Sequence, residues 1–234
     1  MSNAALIMNQ TTVAPSVKFI GAAISPPTSN GGATTCDLSN IDIQAGDLII
    51  GAHCVGEDSN ETSRMSLSSS GYTLIYNNFS NDIYDINLEV YGKIADGTET
   101  SFATKETGVG TSSVISAARV FRGPSEVPTT GNTVGTAQNT DDIVWPRVGG
   151  LTRGQMLVYI GATGHVSSTD SDYSGHTDLT AVQTDSANDS EDLTFGIGNK
   201  LITSEASFSA NTWTMVGNTT DSSVIYVVLK LPVN

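Results

Sequence analysis

The second half of this chain echoes the first in order, and that repetition limits the possible folds more than any single motif does. Ala45-Gly46-Asp47-Leu48-Ile49-Ile50-Gly51-Ala52 returns as Arg153-Gly154-Gln155-Met156-Leu157-Val158-Tyr159-Ile160-Gly161-Ala162. Ser70-Gly71-Tyr72-Thr73-Leu74 returns as Ser174-Gly175-His176-Thr177-Asp178-Leu179, and Leu88-Glu89-Val90-Tyr91-Gly92 as Leu193-Thr194-Phe195-Gly196. Ser101-Phe102 matches Ser207-Phe208, and both halves close on Ser-Ser-Val-Ile, at 112–115 and 222–225. The offset between matched pieces stays between 104 and 110 residues. A repeat has to be found before any element is assigned, because missing it misassigns the whole fold. The repeated unit is a set of short strands and turns, and no catalytic constellation is repeated with it.

The choice of residues agrees with strands. Lys and Glu are scarce, Val, Ile, Thr and Tyr are common, and only 15% of the 234 residues are charged. That balance favours sheets and tight turns over helices. The net charge of −14 arises because there are only 10 basic residues, scattered singly along the chain. Nucleic-acid binding needs clustered Lys and Arg to displace counterions, so no DNA or RNA partner is expected. No apolar run reaches the roughly 18 residues of a membrane helix. The first eight residues, Met1 to Met8, lack the basic start of a secretory signal, and none is expected.

Period-two patterns place strands at Val17–Ile20, Thr34–Ile43, Asp47–Val55, Asp85–Ile94 and Val114–Phe121 in the first half. In the second half they fall at Ile143–Val148, Gln155–Gly161, Leu179–Gln183, Leu193–Ile202, Asn211–Val216 and Val224–Leu231. Asp47–Val55 is a continuous apolar run, expected of a strand covered on both faces. Asp85–Ile94 alternates cleanly, expected of a strand with one wet face. Residues 123–142 carry almost no large apolar side chains and read as a linker or long crossover. The expected class is all-β, a jelly-roll-like antiparallel sandwich with an internal pseudo-repeat and an N-terminal arm. The arm is 1–16, and the sandwich, 17–234, is built of halves 17–123 and 143–234. The alternative is two tandem immunoglobulin-like domains.

Four of these segments also resemble a known family. Ala-Gly-Asp-Leu-Ile-Ile (45–50), Ser-Gly-Tyr-Thr-Leu-Ile (70–75), Val-Tyr-Gly-Lys-Ile-Ala (90–95) and Ala-Ala-Arg-Val-Phe-Arg-Gly (117–123) are similar to a recurring set of β-sandwich structural proteins of tailed bacteriophages. Lys93-Ile94-Ala95-Asp96-Gly97-Thr98-Glu99 stands for the family's third element and Phe121-Arg122-Gly123 for its fourth. Tyr72 replaces the family's usual Trp, and Gly92 replaces an aromatic. The likeness covers about residues 40–165 and, more faintly, the last strand. It implies a virion protein of the head, fibre or tail.

Candidate chemistry is sparse. Asp170, Asp172 and Asp178 around Gly175 follow the opening spacing of a calcium loop, but Ala181 stands where the bidentate acid belongs. A solvated acidic turn is the simpler reading, as it is for Asp185–Asp192. His165 and His176 have no Cys or further His to complete a zinc site, and His53 is expected inside a sheet. Cys36 and Cys54 are expected as buried thiols on neighbouring strands, with a bridge as the alternative. No nucleophile sits in a recognisable setting. No catalytic residue, metal or cofactor is therefore expected.

Two surfaces remain. Leu6, Ile7, Met8 and Val13 lie on an otherwise polar arm that a partner subunit is expected to hold, since free termini fray. Trp145 and Trp213 offer flat amphipathic rings suited to stacking on sugars. The leading expectation is a non-enzymatic virion protein on the capsid surface, assembled in the host cytoplasm and decorating or cementing the head. It would bind the major capsid protein or other virion subunits, as a homo-oligomer or in many copies per particle. The alternative is a tail or fibre module that binds host surface glycans through Trp145 and Trp213.

Overall fold

In a strand, successive side chains point to opposite faces. Leu48, Ile50, Ala52 and Cys54 therefore form one apolar face, while Ile49, Gly51, His53 and Val55 form the other. Both faces need cover, so this strand must sit in the middle of at least three layers. The computed structural model describes residues 15–28, 32–57, 65–80, 85–106, 113–129, 133–138, 142–165, 180–183, 192–204, 206–208, 211–214 and 219–232. Among them there is no helix.

The first half supplies β1 (Lys18–Ile24), β2 (Thr34–Asp37), β3 (Leu48–Glu57), β4 (Met65–Leu67), β5 (Thr73–Ser80), β6 (Asp85–Ile94), β7 (Ser101–Glu106) and β8 (Ser113–Arg122). The remainder supplies β9 (Thr133–Gln138), β10 (Asp142–Trp145), β11 (Val148–Leu151), β12 (Met156–His165), β13 (Thr180–Gln183), β14 (Asp192–Leu201), β15 (Ala206–Phe208), β16 (Asn211–Thr214) and β17 (Thr219–Leu229). Two five-stranded sheets dominate, ordered β1-β8-β3-β6-β5 and β9-β17-β12-β14-β13. Counted within each stretch of chain, both orders read first, last, second, fourth, third of the strands they contain. Every strand pair within these two sheets is antiparallel.

The two large sheets lie face to face and share one core. Leu48, Ile50, Ala52, Leu88, Val90, Ile115 and Phe121 meet Val158, Ile160, Phe195, Ile197, Ile225 and Val227 there. The outer face of the first sheet is covered by a small sheet, β2-β7-β4, over Cys36, Leu38, Ile49, Phe102, Ala118 and Val120. The outer face of the second is covered by β11, paired with β15, over Leu157, Tyr159, Tyr226 and Ile202. A separate two-stranded sheet, β10-β16, lies against β9 and β17.

The all-β sandwich is as expected, and within the first half the strands alternate between two sheets, β1, β3, β6 and β8 lying in the large one and β2, β4 and β7 in the small one. Each large sheet is drawn from one stretch of chain, although only β5 with β6 and β13 with β14 are neighbours that also follow each other in sequence. Residues 123–142 are also more than a linker, since they contain β9, which pairs with β17. An edge strand is held by backbone hydrogen bonds, so Thr133-Val134-Gly135-Thr136-Ala137 needs no large side chains.

The turns that feed β3 and β12 are built alike. The Asp47 N–H donates to the Gln44 carbonyl at 3.0 Å, and the Gln155 N–H to the Thr152 carbonyl at 3.2 Å. The third residue of each is a glycine with φ near +93° and +92°, Gly46 and Gly154, the position where a type II turn demands it. The fourth residue's side chain closes each turn. Asp47 Oδ2 accepts the Gln44 N–H at 2.9 Å, and Gln155 Oε1 accepts the Thr152 N–H at 2.9 Å.

Candidate functional site

Segments that carry the family resemblance come together at one end of the first large sheet. Asp47, buried at the head of β3, accepts from Arg122 at the end of β8 through both oxygens, Nε to Oδ1 and Nη2 to Oδ2, each 2.9 Å. Burial raises the Asp47 carboxyl, but the Arg122 hydrogen bond and the Gln44 N–H more than offset it and hold it below its usual range. Lys93 of β6 pairs with Glu99 at 2.9 Å and stands 5.7 Å from the centre of the Tyr72 ring. Gly97, at φ +90°, turns against Ala45, whose amide nitrogen a Cβ there would meet at 3.1 Å. These residues recognise each other, so their chemistry is internal to the fold.

The second concentration of polar groups lies buried on the outer face of the same sheet. His53 of β3 is fully buried, and its Nε2 meets Glu89 Oε2 of β6 at 3.1 Å. The Tyr91 hydroxyl donates to the same Glu89 oxygen, and its ring meets the imidazole edge-on at 5.7 Å. Ser116, directly opposite His53 on β8, shares hydrogen bonds with Thr34 and with Thr104, the latter at 2.9 Å. Burial lowers the affinity of His53 for a proton, Glu89 works against that, and the net direction is down, so the imidazole is neutral. Burial and the Glu89 carboxylate raise the Tyr91 phenol. His53 Nδ1 and both amide atoms of Asn87 have no hydrogen-bond partner. An acid, an imidazole and hydroxyls are thus in contact, but His53 has no exposed surface from which to serve a substrate.

β6 corrects the expectation of a wet face, because Asn87 and Glu89 are 2% and 5% exposed. Regular alternation marks the two faces of a strand, but it cannot reveal that a polar face is roofed. Glu89 as the partner of His53 was missed for this reason. The signal was the register, which puts the two residues opposite each other.

The thiols are apart. Cys54 faces the core between the large sheets, and Cys36 belongs to the cluster beneath β2-β7-β4, across the sheet. Both are free and buried. Burial pushes Cys36 up to about 12, against a smaller lowering by a Ser25 backbone hydrogen bond, and pushes Cys54 well up too. No bridge forms, because Cys36 sits in the small sheet covering the outer face of the first large sheet, while Cys54 of β3 points from that large sheet into the core on its other side.

Trp145 and Trp213 are brought onto one small sheet. Trp213 of β16 pairs with Ile143 of β10, two residues from Trp145. By strand alternation both tryptophan positions share a face as diagonal neighbours, a spacing of roughly 7–8 Å. Leu6, Ile7, Met8 and Val13 lie outside the described residues, as do Asp170, Asp172, Asp178 and His176. The point from which the arm departs is described. The Val17 N–H donates to the Gly154 carbonyl at 2.9 Å, and Pro15 lies against the same glycine. His165 ends β12 opposite Asp192. Among the described residues, no group of three or more His, Cys, Asp or Glu could hold a metal ion.

The chain matches no family model, no curated protein and no solved structure in the comparisons with known proteins.

Proposed function

We propose that this protein is a non-enzymatic structural component of a tailed bacteriophage particle, decorating or cementing the head. The observation that carries this reading is the knitting together of the resemblance residues. Asp47 with Arg122, Tyr72 with Lys93 and Glu99, and Ala45 with Gly97 make one packed end of one sheet. The segments that carry the resemblance are thus neighbours in the fold, which is what supports this reading.

In this role the sandwich is a rigid body, and residues 1–14 are the attachment. Pro15 lies against the Gly154 turn, and Leu6, Ile7, Met8 and Val13 are the anchoring side chains of this reading. Their partner is the major capsid protein or another virion subunit. Adding apolar area across a joint between subunits strengthens it at roughly 25 cal/mol per Å² buried. Deleting residues 1–14 spares Pro15 and Val17, so the far-UV circular dichroism spectrum should be unchanged while binding to particles lacking the protein is lost. Undiminished occupancy on particles by the shortened chain would sink the anchoring role.

One observation favours a second reading, a tail or fibre module for host surface glycans: Trp145 and Trp213 share a face of β10-β16. Under it, Trp145→Ala or Trp213→Ala lowers adsorption to cells without altering the melting temperature. Full adsorption by both variants would dismiss it.

A further inference from the structure

In the core shared by the two large sheets the central strands meet as in a dimer interface, although β5 also lies on β9 and β17 without a contact of similar extent from β13 to β1 or β8. Across it, β3 lies on β12, the second strand of one set on the second of the other. β8, last of the first set, lies on β14, fourth of the other, while β6, fourth of the first, lies on β17, last of the other. That reciprocity is the mark of an isologous contact, in which the same patch meets itself around a two-fold axis. The side chains at the contact are nearly all apolar and fully buried, as in obligate dimers whose interface resembles a domain core cut in half. Polar contacts across it are few and directed. Arg119 of β8 donates to the Asn199 side chain, and through Nη2 to the Ile197 carbonyl of β14 at 2.7 Å.

The segment leading into each large sheet is docked on the opposite one. Val17, just before β1, is buried in the shared core and donates its N–H to Gly154, at the turn before β12. Val127, which precedes β9, packs over Gly92 of β6, where a Cβ would meet its Cγ1 at 2.6 Å. A methyl at Gly92 is thus excluded by a residue from the other half's lead-in. Gly123, which ends the first half, is similarly covered by Leu231 from beyond β17.

From this geometry we infer that the chain is a fused isologous dimer: its two halves bind each other as partners, and the covalent connection at 130–132 is not what holds them together. Each half offers the other an apolar sheet face and a docking place for its lead-in segment. The partner that this interface fits is a second copy of its own kind of half.

The experiment places a protease site between Thr129 and Thr133 in the full-length chain, which is folded first and then cut. Size-exclusion chromatography and native mass spectrometry should return the cut protein as one particle of the intact mass. Its thermal unfolding should remain a single transition. Fragments that separate, or that melt in two transitions, would overturn the inference. A circular permutant that joins residue 234 to residue 1 and opens the chain at Gly131 makes the same test without protease. It should reproduce the parent circular dichroism spectrum, and its failure to fold, together with separation of the cut fragments, would contradict the inference outright.

Discussion

Replacing Gly51 by Ala inserts one methyl group into a tightly closed contact of the first half. Gly51 lies on the outer face of β3, beneath the ring of Phe102. A Cβ there would stand 2.4, 2.6 and 2.7 Å from three ring carbons. Carbon atoms in contact settle at about 3.5–4.0 Å, so the ring has to retreat by roughly 1 Å. It has nowhere free to go: Phe102 is fully buried, with Tyr72 at 5.2 Å and Tyr91 at 6.5 Å between ring centres. Overpacking of this kind costs about 1–3 kcal/mol. The gain from replacing Gly by Ala within a strand, about 0.5–1 kcal/mol, does not cover it. The net expectation is a loss of about 1–2 kcal/mol, and at 2–4 °C per kcal/mol for a chain of this size the melting temperature falls by about 2–8 °C. Calorimetry and urea unfolding measure it. Phe102→Leu supplies the control, because the smaller side chain makes room for the methyl and the double variant should cost less than the sum of the singles. A Gly51→Ala protein as stable as the parent, or costs that simply add, would refute the contact.

Three further predictions concern groups that the fold has enclosed. Arg122→Ala leaves the buried Asp47 carboxylate without its guanidinium and should cost about 1–3 kcal/mol in urea unfolding, whereas a change within error would show the pair to be ornamental. His53 binds its proton less readily when folded than its unfolded value of 6.5, so the unfolded chain takes up the extra proton and stability falls as pH drops below 6.5 towards the folded value. The urea midpoint should therefore decline between pH 7.5 and 5.5, with a smaller decline in His53→Gln, and equal slopes would remove His53 from the account. Cys36 and Cys54 should resist a thiol reagent in the native protein and react after denaturation, with no effect of reductant on the melting temperature; reaction at native stability would contradict their burial.

Strands with dense apolar patterns could be read from the sequence directly. Leu48–Val55, Ile86–Ile94 and Val114–Phe121 are strands because their patterns suit burial, and Ala45–Asp47 and Arg153–Gln155 are turns because each presents a glycine at the strand's entry. The short cover strands β4, β7 and β15 and the edge strand β5 escaped. They are short or mix Ser, Thr and Asn with isolated apolar residues, and they exist because a neighbouring edge offers backbone partners. Thr34–Ile43 was read too long, since the Asp37 carboxylate accepts the Ser39 N–H at 2.9 Å and turns the chain after four residues. Ile143–Val148 divides at Pro146 into β10 and β11, as a residue with no N–H to donate would lead one to expect. At the candidate site, the resemblance segments were visible as motifs, but their mutual pairing was not. A partner such as Arg122 for Asp47, 75 residues away, follows only from register.

The attachment role is tested most directly by locating the protein on purified particles with cryo-electron microscopy, comparing the full chain with one lacking residues 1–14. The account predicts density over the head surface for the full chain and bare capsids for the shortened one. Density at the tail or fibre tips would transfer the role to Trp145 and Trp213, and its absence from every particle would contradict the virion assignment itself.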